Sequence, residues 1–384
     1  MFARTTSTAL PALFSLLLLT LFTLSATAAP VPAPPSVAAT GHLLIDFDSG
    51  HVLAENNAEQ RLEPASLTKI MTAYVVMKEI QAGQVTLQDQ VLVSKKAWRT
   101  PGSRMFIEVG EKIALEVLLK GMIIQSGNDA SVALAEHVAG SEETFANLMN
   151  DHAKRLGMAN THFVNSTGLP HAEHYTTPRD IARVTRATIR EFPDIYQWYA
   201  TKEFTFNSIR QHNRNKLLWR DDAVDGVKTG HTEAAGYCLV ASAKKDGMRL
   251  IAVVMGTRSE EARASESLSL LNYGFRFFET HRLYGAGEKL TDTRVWKGSQ
   301  ERLRLGLARD LYITIPRGQY PNLNAGMRID PQIMAPVTSG QPLGTVSVSL
   351  DGESIVETEL VALDSIVEGG LVQIAKDTVL LWLE

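Results

Sequence analysis

The sequence predicts an α+β protein: one antiparallel sheet covered by helices, followed by a small all-β sandwich. Three observations predict it. Strand-like segments flank a long helical middle, in a chain of 384 residues that is 45% hydrophobic and 21% charged. Beyond about residues 284–287 the segments become short and rich in β-formers. Pro316, Pro321, Pro331, Pro336 and Pro342 punctuate that second region.

Residues 1–28 read as a secretory signal. Arg4 supplies the positive start, 13–24 is a Leu-rich apolar run, and Ala26-Thr27-Ala28 is a small-x-small cleavage site. The run is shorter than the ~20 residues a membrane span needs. Residues 29–37, rich in proline, read as a linker. A first domain is then expected over 38–284, a β-sandwich over 285–366 and an amphipathic helix over 367–384.

The elements follow in order. Residues 42–47 and 51–53 read as a hairpin around Asp48-Ser49-Gly50. A mostly buried helix starts near Ser66, after Pro64, and runs to about Gln81, with Ile70, Ala73, Tyr74 and Met77 inward. Further helices are expected over 115–124, 129–138 and 142–156, and another opens at Thr177-Pro178. Strands return at 236–243 and 248–255, then a long helix over 259–279. In the second region the strands expected are 293–296, 302–306, 311–315, 344–350 and 354–362.

Near the end, Gln373, Lys376, Asp377 and Glu384 share one helical arc, and Leu371, Ile374, Leu381 and Trp382 face the other way. Such a helix is only ~22 Å long. It either lies flat in a membrane interface with Trp382 as anchor, the favoured reading, or packs on the β region. Its one lysine and two acids give anionic lipid no special pull.

The formal charge of −4 gives no reason to expect nucleic acid. Cys238 is the only cysteine, so no internal disulfide can form, and it reads as a small buried residue of a strand. No cofactor or metal is expected.

Chemistry concentrates in three short stretches. Ser66-Leu67-Thr68-Lys69 places a hydroxyl and an amine on one helix face. A neutral Lys69 amine can take the Ser66 proton and make it a nucleophile. Burial and a nearby cation, with Lys228 the natural candidate, would depress the Lys69 pKa. Ser126-Gly127-Asn128 follows at a helix break: Ser126 can relay a proton, and the Asn128 amide can hold a substrate amide. Lys228-Thr229-Gly230 brings a cation and a hydroxyl suited to a carboxylate, and a glycine that allows close backbone approach. Taken singly these are a capping serine, a solvated lysine, a capping loop and a charged turn. A second Ser-x-x-Lys, Ser242 to Lys245, runs into hairpin chemistry. In this order, on these elements, the three stretches form a catalytic set.

Longer matches carry a resemblance. Leu44-Ile45-Asp46, the run from Pro64 to Thr72, Gln125 to Ala130, Asp225 to Thr232 and Gly274 to Phe278 resemble the low-molecular-weight penicillin-binding D-alanyl-D-alanine carboxypeptidases, the penicillin-binding protein 5/6 group. The resemblance covers almost the whole mature chain and implies a β-lactamase/transpeptidase-like catalytic fold. Ser66 would attack the carbonyl between two terminal D-alanines of a peptidoglycan stem peptide, with Lys69 as base and Ser126 as relay. The N–H groups of Ser66 and His231 would form the oxyanion hole. Thr229 and Arg214 would contact the terminal carboxylate. β-Lactam antibiotics would acylate Ser66. The enzyme would sit on the periplasmic side of the cytoplasmic membrane, attached peripherally. Thr167 stands where related sequences have histidine.

Three rivals remain. A class A β-lactamase shares the Ser-Lys pair but normally carries Ser-Asp-Asn and no β domain. A non-catalytic envelope protein would not need Ser66 or Lys69. A metal hydrolase would rest on His171 and His174, whose spacing lacks a helical metal-site context.

Overall fold

The computed structural model describes Met1 and residues 31–383. Apart from Met1, the signal segment and the first two linker residues lie outside the described residues.

In chain order, a first antiparallel pair is β1 (Gly41–Asp46) and β2 (Val52–Asn56). A 3₁₀ turn, Ala65–Leu67, leads into α1 (Thr68–Gln81). Next come β3 (Gln90–Leu92), α2 (Lys95–Arg99), β4 (Lys112–Ala114), α3 (Leu115–Ile124), α4 (Asn128–Ala139), α5 (Glu142–Arg155), α6 (Pro178–Glu191) and α7 (Pro193–Tyr196). A small hairpin, β5 (Glu203–Phe206) and β6 (Ile209–His212), precedes β7 (Val224–Thr232), β8 (Gly236–Lys245), β9 (Met248–Thr257) and α8 (Glu260–Phe277). The second region holds β10 (Phe278–Tyr284), β11 (Thr291–Arg294), β12 (Arg302–Gly306), β13 (Leu311–Pro316), β14 (Leu323–Ile329), β15 (Pro342–Leu350), β16 (Glu353–Ala362) and α9 (Leu371–Leu383).

The main sheet has the order β2-β1-β9-β8-β7, antiparallel throughout. Period-2 alternation splits its side chains between two cores. Ile251, Val253 and Met255 of β9 join the core shared with α1 and α3–α6, and Leu250, Ala252 and Val254 join the core under α8. Both faces are therefore covered, which is why β8 and β9 read as near-continuous apolar runs. Gly274 lets α8 approach this sheet: a Cβ there would lie 2.5 Å from Leu250 Cδ1.

The second region builds a five-stranded sheet, β11-β12-β16-β15-β14, and a two-stranded one, β10-β13, around a separate apolar core. This is the expected α+β architecture with an all-β C-terminal part.

Several elements differ from expectation, β7 among them, which carries Lys228-Thr229-Gly230 within a strand. The long helix stops at Phe277, because Phe278 turns extended and pairs with Pro316. β10 thus joins the second region, so that region begins at Phe278 rather than after Tyr284. Val31, Val37 and Ala39 of the proline-rich segment pack on the core under α8, and the Tyr273 hydroxyl donates to the Pro32 carbonyl (3.0 Å). β14 escaped the sequence because it is an edge strand, largely exposed, with no buried alternation to betray it. Among the described residues no helix is long and apolar enough to cross a membrane.

Candidate active site

A helix buried all round can carry a polar side chain only where partners wait for it. Residues 68–77 of α1 are all buried, and Lys69 is 1% exposed. Its Nζ lies 3.0 Å from Ser66 Oγ, 2.7 Å from Asn128 Oδ1 and 2.6 Å from the Thr167 carbonyl. Burial, and then the charge of Arg214, push the Lys69 amine down to about 7, against Asp129 and Glu142. A neutral amine has two N–H groups and one lone pair. Asn128 and Thr167 accept the two N–H groups, which leaves the lone pair for the Ser66 hydroxyl.

Ser66 sits in the 3₁₀ turn, after Ala65 at φ +47°. Positive φ at a non-glycine residue costs about 1–3 kcal/mol and persists only where surroundings enforce it. Here the loop 165–169 does so. A Cβ on Gly168, at φ +84°, would fall 1.7 Å from the Ala65 carbonyl oxygen, so only glycine fits. Asn165 Oδ1 accepts the N–H groups of Thr167 and Gly168 and fixes the loop.

The second motif closes the other wall. Ser126, also at positive φ (+72°), is buried at the break between α3 and α4 and lines the same cavity as Ser66. Asn128 was expected to hold a substrate amide. Its Oδ1 accepts from Lys69, and its Nδ2 donates to the Pro101 carbonyl (2.6 Å). One N–H and one lone pair of its amide remain for substrate.

The third motif lies on β7, one of the two edge strands of the main sheet. A Cβ on Gly230 would stand 3.3 Å from Ser66 N and 3.1 Å from the Pro64 carbonyl, so its absence lets the edge approach Ser66 closely. Lys228 and Thr229 are buried there. Lys228 Nζ donates to the Thr229 carbonyl (3.0 Å). Its pKa is pushed well below the ordinary lysine value by burial, then by the charges of Lys69, Arg214 and Arg263. Arg214 is the cation that lowers Lys69 most after burial, and Lys228, which Lys69 itself depresses, is a second like charge beside it.

Arg214 is exposed and lines the cavity, between two buried asparagines. Asn213 Nδ2 donates to the Tyr199 and Thr201 carbonyls, and Asn215 Nδ2 donates to the Gly226 carbonyl. Those bonds pin the loop that presents it. His231 lies against Tyr237, ring centroids 4.0 Å apart, at the cavity rim. The cavity, about 410 Å³, therefore gathers Ser66, Ser126, Asn128, Arg214, Thr229 and His231, with Lys69 and Lys228 buried at its wall.

Sequence reasoning missed the Thr167 carbonyl, Gly168, Arg263 and Tyr237. Arg263 is buried, donates to the Gly230 carbonyl (3.2 Å) and lies 5.6 Å from the Tyr237 ring. A backbone carbonyl leaves no sequence signal; a glycine at a tight approach leaves a faint one.

The H-x-x-H spacing resolves differently. His174 Nδ1 accepts the Val164 N–H (3.2 Å), so Nε2 carries the hydrogen and donates to Thr68 Oγ1 (2.8 Å). Burial holds its pKa down to about 4, so it is an uncharged strut. Among the described residues no group of three or more His, Cys, Asp or Glu is arranged for a metal.

A family profile described as D-alanyl-D-alanine carboxypeptidase matches residues 27–259, and one described as penicillin-binding protein 5, C-terminal domain, matches 278–368. The chain is 47% identical over 344 residues to D-alanyl-D-alanine carboxypeptidase DacC of Escherichia coli, covering 88% of this chain and 86% of that protein. It is 44% identical over 347 residues to DacA of the same organism, with 88% and 86% covered. Its fold is similar to that of penicillin binding protein 5 from Haemophilus influenzae, with a TM-score of 0.84, 40% identity, and 88% of this chain and 100% of that one covered.

Proposed function

The chain belongs to the D-alanyl-D-alanine carboxypeptidase family, and from that premise we propose how its own residues carry the reaction. It is a serine hydrolase that removes the terminal D-alanine from peptidoglycan stem peptides through an acyl-enzyme, and penicillin binds it covalently.

Lys69, whose pKa near 7 leaves a large neutral fraction at pH 7, takes the Ser66 hydroxyl proton as Oγ attacks the carbonyl carbon between the two D-alanines. The negative oxygen that develops is held by the N–H groups of Ser66 and His231. The proton passes through Ser126 to the leaving nitrogen, the C–N bond breaks, and D-alanine departs. Water then attacks the acyl carbonyl as Lys69 accepts its proton, the bond from that carbon to Ser66 Oγ breaks, and Lys69 returns the proton to Oγ as the shortened peptide leaves. Arg214 and Thr229 hold the terminal carboxylate. Lys228 adds positive potential, Gly230 admits the substrate backbone beside β7, and the remaining Asn128 N–H faces a substrate amide.

The observation that carries this reading is the Lys69 contact set: 3.0 Å to Ser66 Oγ, with both other partners acceptors. Mass spectrometry of penicillin-treated protein tests it. One adduct is expected, on the peptide containing Ser66; an adduct elsewhere, or none, would refute it.

Export, and peripheral attachment to the periplasmic face of the cytoplasmic membrane, complete the proposal. The support is α9. Its polar arc is spent on the protein: Asp377 is buried and accepts the Lys297 N–H (2.6 Å), and Lys376 pairs with Glu301 (3.0 Å). Of the expected apolar arc, Leu371 and Trp382 are exposed while Ile374 and Leu381 are half-buried; Val372, Val379 and Leu383 complete the exposed strip. A helix turned this way offers its apolar face to lipid.

A further inference from the structure

Glu142 is a buried carboxylate at the start of α5, with Ser141 as N-cap. A carboxylate so placed needs partners. Its Oε1 accepts both the Ser166 N–H (3.1 Å) and the Ser166 hydroxyl (2.9 Å). Its Oε2 pairs with Lys96 of α2 (2.8 Å), whose side chain is 57% exposed. The Ser166 carbonyl in turn accepts the Thr72 hydroxyl of α1 (2.7 Å). Ser166 is therefore pinned on both sides, from α5 and from α1. The next carbonyl along the chain, that of Thr167, is the one that accepts from Lys69 Nζ.

We propose that Glu142 is a positioning residue for acylation: through Ser166 it fixes the Thr167 carbonyl, and so aims the Lys69 lone pair at Ser66. This rests on Lys69 being the base. Acyl transfer is sensitive to such placement, since an error near 1 Å costs about 100-fold.

The charges around the pair set the sign of a pH test. Asp129 on α4 and Glu142 on α5 raise the Lys69 pKa, and Arg214 lowers it. Lys228 on β7 is itself coupled to Lys69, and His174, in the loop below, is neutral at ordinary pH. Lys96 on α2 offsets part of the Glu142 charge. Glu142→Gln keeps an oxygen for Ser166 but removes the negative charge. Lys69 then loses its proton more readily, so its acid limb moves to lower pH.

The test is the second-order rate of acylation by a fluorescent penicillin, against pH, for the whole protein and two variants. Glu142→Ala removes both charge and acceptor, and a fall of roughly 10- to 100-fold across the pH range is expected. Glu142→Gln is expected to restore most of that rate, with the acid limb displaced downward by roughly 0.3–1 pH unit, the effect of one partly screened charge. Rates within twofold of wild type for both variants would overturn the proposal. So would a loss in Glu142→Ala that matches its loss of folded protein, with both acid limbs at the wild-type position. A wild-type profile with no acid limb near 7 would instead remove the base assignment, and this inference with it.

Discussion

The catalytic cleft and the C-terminal helix treat polar groups in opposite ways. In the cleft, Lys69 and Lys228 are buried and held by carbonyl and amide oxygens, while the cavity beside them stays open. On α9 the polar Asp377 also turns inward, but there the apolar side chains are the ones left outside. The two regions share one rule: a buried polar group stays only where partners satisfy it. They differ in what the rule leaves exposed. In the cleft it leaves the Ser66 hydroxyl at an open cavity; on the helix it leaves an apolar strip.

That contrast can be broken by substitution. Ser66→Ala should abolish both hydrolysis and the penicillin adduct, a loss of at least ~1,000-fold in kcat/KM, with the fold intact by circular dichroism. Retained wall-trimming activity would sink the nucleophile. Lys69→Met should lower the acylation rate roughly 100- to 10,000-fold, the usual range for a general base. Gly168→Ala should destabilise the protein by about 2–4 kcal/mol in denaturant melts, because the new methyl group meets the Ala65 carbonyl at positive φ. Stability equal to wild type would show that the loop does not brace the nucleophile.

The other end gives the smaller effect. Trp382→Ala should weaken co-sedimentation with phospholipid vesicles by about tenfold, leaving hydrolysis of a soluble peptide unchanged. Binding that persists, or activity that falls with it, would mean the strip serves another purpose.

The sequence was most legible where chemistry demands fixed spacing. Ser66 and Lys69, three apart on a helix, could be placed together, because i and i+3 share a face. Their meeting with Asn128 and Gly230 was read only from order and company, and the structure supplies the distances. Helices α3, α4 and α5 fell within a residue or two of expectation, because caps and periodicity agree there. β14 was invisible, because an exposed edge strand has no inward stripe. The end of α8 was misplaced by two residues: aromatic Phe277 and Phe278 suit a buried helix or a strand equally, and only pairing with β13 decides. The part that Arg214 plays in the positive field on Lys69 was not legible, since charge proximity between distant segments cannot be read from spacing. For α9 the sequence showed two faces and not which one the protein would take.

One measurement bears most directly on the central claim, that Lys69 is an uncharged amine beside Ser66 near neutral pH. The protein carrying [ε-13C]lysine, with the Lys69 resonance assigned by its loss in Lys69→Met, would be titrated by NMR. An inflection near pH 7 is expected, because burial and then Arg214 disfavour the charged form, and activity should fall as pH drops through that value. A Lys69 that holds its proton to pH 10 would contradict the account.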